Sequence, residues 1–242
     1  ARAPAEKPGL GYAWYTVGVL TVCYTLSFVD RQIFGLLVGP IKTEFGVSDT
    51  QIGLLSGLAF SLFYTLLSLP LGRLVDRYSR RTIVGLGVFF WSLMTAACAV
   101  APGYAGLFLA RMGVGVGEAP LAPAATSMIS DSFPNERLGA AMSFYGVGIH
   151  LGSGLALLLG GAVIAAVTQT PTITVPIFGE IASWRATFMV VGIPGLLVAL
   201  WAYSLREPPR KNVILADDGR TAHLSIGQTV AEISKRWQSV VG

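Results

Sequence analysis

The amino-acid sequence predicts an all-α membrane protein: six transmembrane helices, followed by an amphipathic helix on a polar linker. Three observations predict it. Of the 242 residues, 53% are hydrophobic and 12% charged, with 29 glycines, and lipid, unlike water, asks for no charged outer surface to cover such a chain. Six apolar stretches approach or exceed the roughly 20 residues a helix needs to cross the hydrocarbon layer. Lys and Arg gather in alternate connections between them.

Taken in order, the stretches run approximately over Tyr12–Leu37, Gln51–Leu71, Thr82–Val100, Gly103–Met128, Ala140–Val167 and Trp184–Leu205. Ser48 and Asp49 are N-cap candidates before the second, Pro102-Gly103 turns the chain between the third and fourth, and Pro208-Pro209 stops the sixth. Arg2 and Lys7 precede the first span, and Arg73, Arg77, Arg80 and Arg81 join the second to the third. Arg137 joins the fourth to the fifth, and Arg206, Arg210 and Lys211 follow the sixth. The other side offers little beyond Lys42 and Arg185, so both ends are expected in the cytoplasm. The organisation is then a cytoplasmic tail over 1–11, a six-helix bundle over 12–205, and a cytoplasmic linker over 206–242. Within the linker, Val230, Ile233, Trp237 and Val240 recur at three or four residues opposite Glu232, Lys235 and Arg236, the pattern of a surface-lying amphipathic helix.

The opening ARAPAEKPGLGYAW has no small-residue cleavage site and does not read as a signal peptide. The absent initiator Met suggests a trimmed sequence, and the basic connector after the sixth span suggests further spans. The net charge of +4 is a matter of topology rather than a nucleic-acid patch. Cys23 and Cys98 lie in apolar stretches and read as small core side chains. No metal-ligand cluster, nucleophile elbow or phosphate-binding loop follows from the sequence. The expectation is a non-enzyme without cofactor or metal.

The informative residues are the charges inside the spans. An ionisable group at bilayer depth costs several kcal/mol and persists where it faces a bundle interior or wet cavity, usually with a partner. At 1.5 Å per residue, Asp30 lies about 10 Å below the outer end of the first span, and Arg111 lies at a similar depth in the fourth. An Asp30–Arg111 pair is expected if those helices are neighbours, with Arg31 as an adjacent competitor. Glu118 follows Arg111 by two helical turns, so the two share a face. Gly113, Gly115 and Gly117 between them leave the backbone open to close packing or to a ligand. His150 in the fifth span is expected near the depth of Glu118.

A buried carboxyl group whose cation moves, or meets a substrate, can change protonation. Asp30 and Glu118 are the candidate proton carriers, with His150 a third. Arg31 and Arg111 are candidate anion-binding groups. The alternatives are a structural ion pair fixing helix register, a Glu118 that merely hydrogen-bonds its neighbours, and a His150 satisfied between helices. Phe34, Phe60, Tyr64 and Tyr145 would line an apolar path, or pack the core.

The connection between the second and third spans reads Gly72-Arg73-Leu74-Val75-Asp76-Arg77-Tyr78-Ser79-Arg80-Arg81. It resembles the signature loop of the major facilitator superfamily, with Ser79 where a second Gly is usual. Pro134-Asn135-Glu136-Arg137 and Glu207-Pro208-Pro209-Arg210 resemble that family's loops after the fourth and sixth helices. Arg111 with Gly115 resembles its fourth-helix motif, and Gly146, Gly148, Gly152 and Gly154 its Gly-rich fifth helix. More narrowly, Phe28-Val29-Asp30-Arg31, Gly115-Val116-Gly117-Glu118-Ala119 and Ser183-Trp184-Arg185-Ala186-Thr187-Phe188 look like the spinster branch, which includes transporters of lysophospholipids and sphingosine-1-phosphate.

The resemblance implies one half of a twelve-helix transporter, built of two inverted three-helix repeats and working by alternating access. It implies conformational roles for Gly72, Asp76, Arg77, Arg80, Arg81, Glu136, Arg137, Glu207 and Arg210. Asp76 is expected to contact the carboxy-terminal half. The expected cargo is an amphipathic lipid, or alternatively a small organic anion, moved with protons in a bacterial plasma membrane, or a lysosomal one in a eukaryote. A receptor or scaffold that binds without moving cargo is the alternative of another class.

Overall fold

The computed structural model describes residues 9–170, 172–175 and 179–211. The chain divides into two compact units, Ala1–Pro208 and Pro209–Gly242. The second is described only over 209–211, which take no regular structure. The amphipathic helix expected over 230–240 lies outside the described residues.

The first span is α1 (Leu10–Leu36), continued after a break at Leu37 by α2 (Val38–Phe45). The second begins as α3 (Asp49–Gly53), passes through a π turn over Leu54–Leu58, and continues as α4 (Ala59–Arg77). Its start is a capping box. The Ser48 hydroxyl accepts from the Gln51 backbone N–H while the Gln51 side chain accepts from the Ser48 N–H. The third span is α5 (Arg80–Ala99), the fifth α8 (Asn135–Gln169) and the sixth α9 (Ser183–Tyr203).

Two features depart from expectation. The fourth span is not one helix but α6 (Tyr104–Glu118) and α7 (Leu121–Ser132), broken just after Glu118. Pro120 explains the break: it has no N–H to give the Val116 carbonyl, and its ring crowds that same carbonyl. Also, the connection between α8 and α9 holds a β-hairpin, β1 (Thr172–Val175) antiparallel to β2 (Gly179–Ala182), with Thr172 opposite Ala182. The β-branched run Thr172-Ile173-Thr174-Val175 suits a strand, and Gly179 takes a positive φ of 70° at the start of β2.

Among the described residues five helices are long and apolar enough to cross a membrane, and α6 with α7 supplies the broken sixth. Within the bundle α5 packs mainly on α9 and α6, α1 on α8, and α4 on α6. Glycine lets these backbones meet. A Cβ on Gly117 would lie 2.7 Å from the Trp91 backbone nitrogen, and one on Gly115 would lie 2.6 Å from the Phe60 carbonyl oxygen. The glycines between Arg111 and Glu118 therefore serve helix contact. Gly117→Ala is expected to cost about 1–3 kcal/mol by overpacking, seen as a lower thermal-unfolding midpoint of the purified protein.

Candidate functional site

The α1–α6 contact gathers the intramembrane charges into two ion pairs. In the first, the Arg111 guanidinium lies 3.3 Å from an Asp30 carboxylate oxygen, and each side chain is only 2% exposed. The other Asp30 oxygen accepts a hydrogen bond from the Thr95 hydroxyl of α5. Arg111 also lies over the rings of Phe34, at 4.6 Å, and Phe60, at 5.6 Å. Its Nε meets no hydrogen-bond partner among the described residues.

In the second pair, Arg31 does not compete for Asp30 but turns to Glu118. Its Nε donates to Glu118 Oε2 at 2.7 Å, and its Nη2 lies 2.7 Å from the same oxygen. The Ser27 hydroxyl donates there too, at 2.7 Å. The Glu118 side chain is fully buried whereas Arg31 is 27% exposed. Glu118 Oε1 takes no hydrogen bond from any described residue. Aromatic rings surround Arg31: Phe28 at 5.3 Å, Phe60 at 4.7 Å and Tyr64 at 4.8 Å from the guanidinium carbon.

The other sequence candidates fall into place around these pairs or away from them. Phe34 is buried under Arg111 and beside Phe188, so in this conformation it is core rather than open lining. Tyr145 is buried and stacks on Tyr24 with centroids 4.5 Å apart, and its hydroxyl meets no described partner. His150 is not brought to Glu118. It is exposed on α8, about half a turn round from Gly148 and Gly152, whose faces meet α1.

Ser27 and Thr95 were not singled out by sequence. Ser27 sits one turn before Arg31, a spacing that places both on one helix face. Thr95 carries no such signal, because a lone hydroxyl in an apolar span ordinarily bonds its own helix.

A separate cluster forms at the α4–α5 end of the bundle. Arg80 is fully buried and donates to Glu207 at 2.7 Å, to Ser127 at 2.9 Å, to the Pro208 carbonyl at 2.6 Å and to Asp131. Ser79 donates to Glu207 at 2.9 Å. Arg81 donates its backbone N–H to Glu207 at 3.0 Å and its guanidinium to the Leu205 carbonyl at 3.0 Å. Asp76, Arg77, Glu136 and Arg137 are exposed, and Gly72 is half-buried near the end of α4. Arg210 belongs to the second unit.

Burial pushes the Glu207 carboxyl up, but the Arg81 N–H, the Arg80 guanidinium and the Ser79 hydroxyl outweigh it and hold the group below its ordinary value. A depressed carboxyl contributes stability above its unfolded pKa, near 4.3, and loses it as the pH falls through the lowered value. The gap in thermal midpoint between the wild type and Glu207→Gln is therefore expected to be full near neutral pH and to close on acidification below about pH 4.

The opposite end is tied by Glu44. It accepts from Arg185 at 2.6 and 3.0 Å and from the Trp184 indole at 2.5 Å, while Arg185 also donates to the Ala99 and Ala101 carbonyls.

A membrane bundle that closes charged pairs between its first and fourth spans, with the fourth broken beside one of the charges, has the build of a transporter domain rather than an enzyme. The chain belongs to the Major Facilitator Superfamily, which it matches over residues 20–241. It is similar to an MFS-type efflux pump of Mycolicibacterium smegmatis, at 32% identity over 81% of this chain and 42% of that protein. It is also similar to spinster homolog 1 of Xenopus laevis, at 31% over 84% and 36%, and to a probable L-galactonate transporter of Escherichia coli, at 31% over 74% and 36%. Among solved structures, it resembles a bacterial homologue of the human lysosomal transporter spinster in an inward-facing, occupied conformation. That likeness has a TM-score of 0.76 at 37% identity, over 84% of this chain and 46% of that one. The chain thus spans less than half the length of these relatives.

Proposed function

We propose that this chain is the amino-terminal half of a proton-coupled, spinster-like transporter that moves an amphipathic anionic lipid by alternating access, with its ends in the cytoplasm. One observation carries the reading. Arg31 is part exposed among aromatic rings and holds the fully buried Glu118. A carboxylate or phosphate head group that reaches Arg31 competes with Glu118 for its cation, while the rings offer apolar surface to the rest of the molecule. A buried carboxylate stripped of its cation is costly, and taking a proton removes the cost. Cargo and proton are thereby exchanged at one guanidinium.

Asp30 and Arg111 form the more enclosed pair. They act as the second proton site, and Thr95 ties them to α5. In this reading Asp76 and Arg77, which are exposed, meet the carboxy-terminal half, while Arg80, Arg81 and Glu207 bind the ends of α5, α7 and α9 together.

A second reading keeps the mechanism and changes the cargo to a small organic anion. It is favoured by relatives named as transporters of L-galactonate and D-galactonate. The test is uptake by the full-length protein in sealed liposomes under an imposed pH gradient, with a lysophospholipid and with galactonate as probes. Gradient-driven uptake of the lysophospholipid alone is expected. Uptake of galactonate alone supports the second reading, and binding without uptake of either supports a receptor.

A further inference from the structure

The two ion pairs are not independent neighbours, because one aromatic side chain lies against both cations. Arg31 lies 4.7 Å and Arg111 5.6 Å from the centroid of the Phe60 ring. Each arginine otherwise answers to a different carboxylate, Glu118 for Arg31 and Asp30 for Arg111. Phe60 is only 6% exposed and stacks on Tyr64 with centroids 5.5 Å apart.

Its backbone is fixed as well. The Phe60 carbonyl lies where a Cβ on Gly115 would come within 2.6 Å, so α4 and α6 meet at this residue. Gly115 falls between Arg111 and Glu118 on α6. Just before Phe60 the second span passes through the π turn Leu54–Leu58. A π turn shifts the register of every side chain after it and recurs at functional sites.

We propose that Phe60 is a positioning residue that couples the two ion pairs. A guanidinium is attracted to the face of an aromatic ring, most strongly where water is excluded. When Arg31 leaves Glu118 for an incoming anion, its place on the Phe60 ring changes, and the ring's hold on Arg111 changes with it. The state of the Arg31–Glu118 pair is thereby transmitted to the Asp30–Arg111 pair across α4. The proposal deepens the transport reading given above, but its first test needs no transport.

That test is a double-mutant cycle on the thermal midpoint of the purified full-length protein. Asp30→Asn and Glu118→Gln are made singly and together, in wild-type protein and with Phe60→Leu, Phe60→Met or Phe60→Tyr. Leu and Met keep apolar bulk without a ring, and Tyr keeps the ring. Direct attraction or repulsion between the two charge pairs is common to all backgrounds, so the change between backgrounds isolates the ring. The two neutralisations are expected to be non-additive in the wild type and with Phe60→Tyr. The non-additivity should fall at least twofold with Phe60→Leu and with Phe60→Met.

Additive effects in the wild type, or non-additivity unchanged by Leu or Met, overturn the proposal. If Phe60→Leu does not fold, Phe60→Met decides it. In liposomes, the ratio of gradient-driven accumulation to counterflow exchange is expected to drop about tenfold with Phe60→Leu and to recover with Phe60→Tyr. A wild type that carries neither probe overturns the transport reading, while the cycle still decides the role of Phe60.

Discussion

Glu118→Gln is expected to reduce gradient-driven uptake to background while folded yield stays close to the wild type. The side chain is fully buried, and its cation, Arg31, is 27% exposed. Glutamine keeps the shape and an acceptor for the Ser27 hydroxyl, and it removes a charge from a place where charge is expensive. The arginine left behind retains its ring neighbours and its partial access to water. What glutamine cannot do is exchange a proton.

The reciprocal change behaves differently. Arg31→Ala strands the Glu118 carboxylate and is expected to cost about 3–5 kcal/mol, the usual range for breaking a buried pair from one side. Comparing purified yield, unfolding midpoint and uptake for the two variants separates the proton-carrying role from a structural one. If Glu118→Gln merely unfolds the protein, the pair is a register-fixing ion pair.

Arg80→Ala is expected to be the most destabilising change at the α4–α5 end, by about 3–5 kcal/mol. The guanidinium has no exposure and spreads its donors over Asp131, Ser127, Glu207 and the Pro208 carbonyl, partners from α7 and from the segment after α9. Removing it takes the shared cation from the Asp131 and Glu207 carboxylates. Arg80→Lys is expected to recover only part of the loss, since an ammonium cannot present the planar fork that reaches partners on several sides. Thermal unfolding of the three proteins measures this. Equal midpoints for the wild type and Arg80→Ala would mean that the cluster contributes nothing to stability.

Much of the architecture was legible because lipid makes a simple demand. A span must be long, apolar and helical, and each of the six stretches satisfied that on composition alone. The capping box at Ser48 and Gln51 was likewise written in local chemistry, since Ser48 stood before an apolar run. The break after Glu118 was also written, in Pro120, although a span is long enough to hide a proline inside an apolar average. The strand pair Thr172–Val175 and Gly179–Ala182 was obscured for a different reason. Four residues of β-branched sequence between two long spans carry little weight against helical expectation until pairing is seen.

For the site, depth was readable and direction was not. Counting residues placed Asp30 and Arg111 at one level, and they meet at 3.3 Å. The same count put His150 near Glu118, but helical rotation turns it to an exposed face of α8. Arg31, adjacent to Asp30 in sequence, is rotated by about 100° and so reaches Glu118 rather than sharing the Arg111 partner. Thr95, Asp131 and Glu44 gain their place in the account through tertiary contact, with Asp30, Arg80 and Trp184 respectively, which residue counting along one helix does not show.

The most direct test of a shared proton and anion path is proton movement itself. The full-length protein is sealed into liposomes with a pH-sensitive dye inside, and lysophospholipid or galactonate is added outside without an imposed gradient. Substrate-dependent change of the internal pH is predicted for the wild type, and none for Glu118→Gln. Substrate that enters with no movement of protons would contradict the account.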